Sequence, residues 1–212
     1  MPISYTYNLI FIHVPKCAGT TIEKIIGTCT SRDFFARKPK ANSGHLKTPQ
    51  HLTFLELKSE LNIDWNMHHV FSVVRNPYSR FVSEYNYRKD LFEKTKRPEH
   101  DPKTFSIFID SINLDQTERI TKFDGHLETQ SSFLKNENGN IEPSIQIFKF
   151  EDLTPCWTML EEKTGVKYAN YLWSRKSNVE IPYQEFYTTE TKNIIYNFYK
   201  EDFDNFGYSA EL

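Results

Sequence analysis

The stretch LIFIHVPKCAGTTIEKIIGTC, residues 9–29, decides how the chain is read. Leu9 to Val14 are apolar apart from His13 and rich in β-branched and aromatic side chains, the composition of a buried strand in a parallel sheet. Pro15 stops that strand. Thr20 with Glu23 three positions later matches a capping box, and Ile22, Ile25, Ile26 and Cys29 recur at the i, i+3, i+4, i+7 spacing of one buried helical face. The segment predicts strand, loop, helix.

The same pattern recurs downstream. HVFSVV (69–74) reads as a second strand, and Arg75-Asn76-Pro77 supplies an N-cap candidate and a helix-compatible proline before YSRFVSEYNYRKDLF. IQIFKF (145–150) is a third strand leading into the helical EDLTPCWTMLEEKTG. Further helices are expected from about Pro49 to Leu61, over TFSIFIDSI (104–112), and over TTETKNIIYNFYKEDF, where Ile194, Ile195 and Phe198 share a face. Residues 30–48 and 94–103 read as polar connections. Strands alternating with helices predict an α/β fold, a single domain over residues 1–212, with a mainly parallel β-sheet flanked by helices.

Composition narrows the function. The 212 residues carry 26 Lys plus Arg against 28 Asp plus Glu, a net charge of −2, which excludes nucleic-acid binding through general positive charge. Any anion site must be local. Three cysteines, Cys17, Cys29 and Cys156, lack CxxC spacing and indicate neither a disulfide framework nor a structural zinc site. No basic leader and no stretch of about 18 apolar residues is found, so the expectation is a soluble, cytoplasmic protein with no integral membrane segment. The sequence leaves the oligomeric state open.

In a parallel α/β sheet, ligands sit beyond the carboxyl ends of strands, where helix N-termini present free N–H groups. Two such places stand out. Pro15-Lys16-Cys17-Ala18-Gly19-Thr20-Thr21 combines small residues, one cation and two hydroxyls, a composition suited to wrapping an anion. Arg75 ends its strand, Ser83 follows eight residues on, and Ser79, Arg80 and Ser83 share a helical face. Two anion loops call for a ligand with phosphates or sulfates at separated positions. The first loop is not a Walker A motif, because Lys16 precedes Gly19 rather than following the last glycine, and this disfavours ATP. Nor is it a Cys-phosphatase loop, since Glu23 stands where C-x5-R requires arginine. No metal site is expected, as adjacent His68 and His69 face opposite sides of a strand.

IFIHVPKCAGTTI followed by FSVVRNPYSRFVSEY resembles the paired signatures of sulfotransferases that use 3′-phosphoadenosine 5′-phosphosulfate (PAPS), in particular the carbohydrate branch acting on heparan- and chondroitin-type chains. HLETQSSFL (126–134), FKFEDL (148–153), RKSN (175–178) and YKEDFDNFGY (199–208) are similar to that family in the same order. The resemblance implies a P-loop-like nucleotide-binding architecture in which Lys16 and the loop to Thr21 hold the 5′-phosphosulfate and Arg75 and Ser83 hold the 3′-phosphate. It further implies that Arg175, Lys176 and Ser177 close over the nucleotide. The product would be 3′-phosphoadenosine 5′-phosphate (PAP) and the acceptor a hydroxyl, expected on a carbohydrate. Cys17 and Ala18 depart from the residues commoner in that family, yet both are small enough to keep the loop.

Sulfuryl transfer needs a stabiliser for the leaving oxygen, for which Lys16 is placed, and a base for the acceptor proton. Thr48-Pro49-Gln50-His51 reads as N-cap to N3, which puts His51 in a first helical turn where the macrodipole keeps its imidazole neutral. HLTFLEL is also similar to the segment bearing the base histidine in heparan sulfate sulfotransferases. His45 is the alternative base, and Thr53 with Glu56 is a competing capping box that leaves His51 just outside the helix. His126 and Gln130 either line the acceptor cleft or cap and pack a helix. Two other functions remain on the table: a kinase-type phosphoryl transferase, and a noncatalytic module recognising phosphorylated or sulfated ligands.

Overall fold

The computed structural model describes residues 3–27, 46–167 and 181–212. Its sheet has four strands in sequence order: β1 (Ile3–Ser4), β2 (Leu9–Ile12), β3 (His69–Val74) and β4 (Gln146–Lys149). β2, β3 and β4 run parallel, with Phe11 opposite Phe71 and Val73 opposite Phe148, while β1 adds an antiparallel edge to β2. The β2 residues are completely buried, as expected of a strand covered on both faces.

Two of the parallel strands feed helices directly. β2 leads through residues 13–18 into α1 (Gly19–Ile25), and β3 leads through Arg75 and Asn76 into α3 (Pro77–Thr95), after the intervening α2 (Phe54–Glu60). Asn76 caps α3 by accepting from the N–H groups of Tyr78 and Ser79, and Pro77 occupies N1, where its missing N–H costs nothing. The chain continues through α4 (Phe105–Ile109), α5 (Gln116–Phe123) and α6 (Gln130–Leu134), then β4, α7 (Thr154–Thr164), α8 (Thr189–Phe198) and α9 (Lys200–Phe206). Apolar residues gather in two clusters. One packs the sheet against α1, α2 and α7, with Ile22, Leu57 and Leu160 in it. The other is aromatic, joining Tyr78, Phe81 and Tyr85 of α3 to Phe108, Tyr199 and Phe203.

Two local expectations are corrected. Thr20 and Glu23 do not form a capping box: the N-cap is Ala18, in a left-handed conformation with no side-chain cap, and Glu23 is buried against His13. A buried histidine partner outcompetes a local backbone bond that solvent can replace. The helix expected from Pro49 is also split. Pro49–His51 form one 3-10 turn, and α2 begins only after Thr53, whose side chain and that of Glu56 complete the competing capping box. His51 therefore lies outside the α-helix, and its first-turn macrodipole argument does not apply. Ile22 and Ile26 keep the predicted buried face, whereas Cys29 lies outside the described residues.

Candidate functional site

The site forms where the loops after β2 and β3 meet. Lys16 and Ala18 both have positive φ, 68° and 63°. For non-glycine residues this conformation costs roughly 1–2 kcal/mol each, and such outliers concentrate where a backbone wraps a ligand. Gly19 has a different reason to be glycine. A Cβ there would stand 2.0 Å from His13 Nε2, so the His13 ring fills the space a side chain would need.

Arg75 joins the two loops. Its Nη1 donates to the Lys16 carbonyl at 3.3 Å, its Nε donates to Ser79 Oγ at 2.9 Å, and the guanidinium stacks over the Phe150 ring at 4.2 Å. Burial pushes the Arg75 pKa down, and no described carboxylate forms an ion pair with it. Lys16 is in the same situation. Its ammonium lies 4.2 Å from the centre of the Tyr87 ring and forms no ion pair with a described residue. Burial lowers its pKa, the charge of Glu84 opposes that shift, and the neighbouring Arg75 adds to it. Two partly buried cations are thus held close together, neither in a direct ion pair with a described carboxylate, while the charges of Glu84 and Glu151 act on them from farther away. The half-buried Ser83 faces no hydrogen-bond partner there, and Ser79 takes the contact with Arg75.

Buried polar residues fix this arrangement. Gln130 Oε1 accepts from the Arg75 N–H and its Nε2 donates to the Arg75 carbonyl, both at 2.8 Å, while Cys17 Sγ approaches the same Oε1 at 3.4 Å. Gln130 is completely buried. It clamps the Arg75 backbone rather than lining an acceptor cleft, which corrects one of its two expected roles. Asp202 supports it in turn, accepting from the N–H groups of Gln130 and Ser131 at 2.8 Å each. Arg80, expected on the anion-facing side of α3, is buried instead. Its Nε donates to the Pro15 carbonyl at 3.1 Å, and its Nη2 donates to the carbonyls of His126 and Glu128 at 2.8 and 3.0 Å.

A row of three histidines runs beside the loops. His13 and His51 meet edge to face with ring centres 5.0 Å apart, and His51 meets His126 in the same way at 4.8 Å. Each has a carboxylate at Nδ1: Glu23 at 2.9 Å, Asp124 at 2.8 Å and Glu84 at 2.7 Å, respectively. Burial lowers the pKa of His51 and of His126, so both favour the neutral form near pH 7. Glu84 is itself buried and receives Arg88 Nε at 2.6 Å. Burial alone would raise its pKa, but His126, Arg88 and Lys16 together hold it down to about 2. Donor atoms of His51, Asp124 and His126 lie within 4.8 Å of one another. Hydrogen bonds to Asp124 and Glu84 already account for that grouping, and zinc would draw its ligands to roughly 3.3 Å apart at bond lengths of ~2.0–2.1 Å.

Of the residues singled out from sequence, Pro15 to Thr21, Arg75, His51, His126 and Gln130 assemble around these loops. Thr20 is exposed and Thr21 half-buried. His45, Arg175, Lys176 and Ser177 lie outside the described residues. His13, Glu84, Asp124 and Phe150 escaped the sequence reading. Apart from His13, whose partner Glu23 lies 10 residues on, their partners are far away in the chain, 73 residues for Asp124 with His51 and 42 for Glu84 with His126, and no local pattern encodes such contacts.

The structure is an α/β fold in which two strand-to-helix loops, each carrying a cation, meet at one end of the sheet. A family model for the Sulfotransferase family matches residues 1–209, nearly the whole chain, and the protein belongs to that family. Membership supports transfer of a sulfuryl group as the reaction class. No curated protein and no solved structure matches the chain. Among the described residues, no helix is long and apolar enough to cross a membrane.

Proposed function

We propose that the protein transfers a sulfuryl group from PAPS to an acceptor hydroxyl, on a carbohydrate, by in-line displacement. The observation that carries this reading is the pair of cations Lys16 and Arg75, neither in an ion pair with a described carboxylate, bridged through the Lys16 carbonyl. Burying two such charges is costly unless a dianionic ligand completes them, and a nucleotide bearing phosphates at two positions has that charge pattern. Lys16 and the loop to Thr21 would take the 5′ end, where the ammonium meets the charge that develops on the leaving oxygen. Arg75 with Ser79 or Ser83 would take the 3′-phosphate, and Arg175, Lys176 and Ser177 would cover the nucleotide. Bound PAPS supplies an activated sulfuryl group whose departure leaves PAP. His51, neutral and oriented by Asp124, is the group proposed to receive the acceptor's proton.

Calorimetric titration with PAP in EDTA, beside ATP with Mg2+, tests the reading. Binding of PAP without ATP supports it and justifies a screen of saccharide acceptors with PAPS. Binding of Mg-ATP alone would replace it with a kinase, and PAP affinity without turnover on any acceptor would indicate a binding module. The acceptor and the position sulfated are matters for that screen.

A further inference from the structure

We infer that Asp124 is a positioning residue for the transfer reaction, fixing His51 in the tautomer whose Nε2 carries the lone pair; this rests on His51 being the proton acceptor. The hydrogen bonds assign the tautomer. Gln50 Nε2, an amide N–H donor, stands 3.0 Å from His51 Nε2, so that ring nitrogen must accept. The proton therefore lies on Nδ1, which donates to Asp124 Oδ2 at 2.8 Å. Asp124 is held for this task by Thr48, whose N–H donates to Oδ1 at 2.6 Å and whose hydroxyl donates to Oδ2 at 2.7 Å. An incoming hydroxyl would then replace the Gln50 amide at Nε2 and pass its proton to that nitrogen while its oxygen bonds to sulfur and the sulfur–oxygen bond to the departing PAP phosphate breaks.

Local stability argues against aspartate at this position, and that is the second observation. Asp124 is the C-cap of α5, with φ of 54°. Glycine or asparagine suits a left-handed cap better, and a carboxylate at a helix C-terminus faces the negative end of the macrodipole. A residue that is locally unfavourable is explained by its partners across the chain, Thr48 and His51. The charged and titratable groups around His51 are Asp124, His13 and His126, the latter two paired with Glu23 and Glu84.

The test is Asp124→Asn. Asparagine offers one oxygen, which the Thr48 N–H retains, so its NH2 group faces His51 and turns Nδ1 into an acceptor. The expected result is a reversal of the His51 tautomer, read from its ring 15N shifts, with PAP affinity unchanged and the protein still folded. On the best acceptor found for the wild type, kcat falls by about 10²-fold or more while KM changes little. The acid limb of the kcat profile moves to lower pH, because the imidazolium loses its carboxylate. Asp124→Glu recovers part of the rate. A wild-type His51 carrying its proton on Nε2, or an Asp124→Asn protein with an unaltered tautomer, overturns the inference. Failure of the wild type to bind PAP would instead overturn the sulfotransferase mechanism, and the NMR reading stands apart from it.

Discussion

The Arg75 guanidinium donates to the Lys16 carbonyl at 3.3 Å, tying together two helix-start loops separated by 59 residues. Each loop thus depends on the other for its shape. Arg75→Ala removes a charge and this tie together, and PAP affinity is expected to fall by roughly 10²-fold, the scale of one or two charge-assisted hydrogen bonds. Arg75→Lys keeps the charge but not the planar fork, and recovers only part of it. Calorimetry against PAP measures both; wild-type affinity in Arg75→Ala would remove the residue from the nucleotide site.

Gly19 and His13 form a steric pair. Gly19→Ala places a methyl group inside the His13 ring, which is itself fixed by Glu23, and is expected to destabilise the fold by about 1–3 kcal/mol. Combining it with His13→Ala relieves the clash. Urea unfolding of the two single variants and the double variant, treated as a cycle, gives the coupling. Additivity of the two changes would contradict the contact.

Arg80 holds three buried carbonyls, those of Pro15, His126 and Glu128. Arg80→Ala leaves them unsatisfied and is expected to cost about 3 kcal/mol or more in urea unfolding. Lysine rescues poorly, because a single ammonium lacks the separate Nε and Nη2 donors that serve these carbonyls.

Acid weakens this protein in two stages. His51 and His126 have folded pKa values below their ordinary value of 6.5, so the unfolded chain takes up protons first as pH falls through that value. Glu84 is held down from 4.5 to about 2, so its contribution is complete above 4.5 and is lost as pH falls toward 2. That contribution is at most about 3 kcal/mol at 1.36 kcal/mol per pKa unit. Urea midpoints from pH 2 to 8 are expected to rise with pH, and Glu84→Gln to flatten the curve below pH 4.5.

Burial pushes the thiols of Cys17 and Cys156 up to about 12. In a Cys29→Ser background, neither is expected to react with a disulfide reagent at pH 8 until the chain is unfolded. Fast labelling of Cys17 would show that solvent reaches its thiol in the folded protein and would contradict its burial.

The order of strands and helices was legible in the residues themselves. Apolar runs such as Leu9–Ile12 and His69–Val74, with Asn76-Pro77 as a helix start, encode local structure through period and capping, and both act over a few residues. The two strand-to-helix loops with their cations were legible for the same reason, since small residues, a cation and a following helix are all local. Competition between local signals was not. Thr20 with Glu23 and Thr53 with Glu56 offer the same capping box, but only the second forms, because Glu23 finds His13 in the interior.

The sequence by itself determined an α/β chain with cationic loops at the ends of β2 and β3. Tertiary structure alone decided that Gln130 clamps Arg75, that Arg80 is interior, and that His13, His51 and His126 line up with a carboxylate behind each. The hydrogen bonds among these contacts join residues 42 to 73 positions apart, apart from His13 with Glu23. Their energies depend on burial and direction, quantities that exist only once the sheet has brought the loops together.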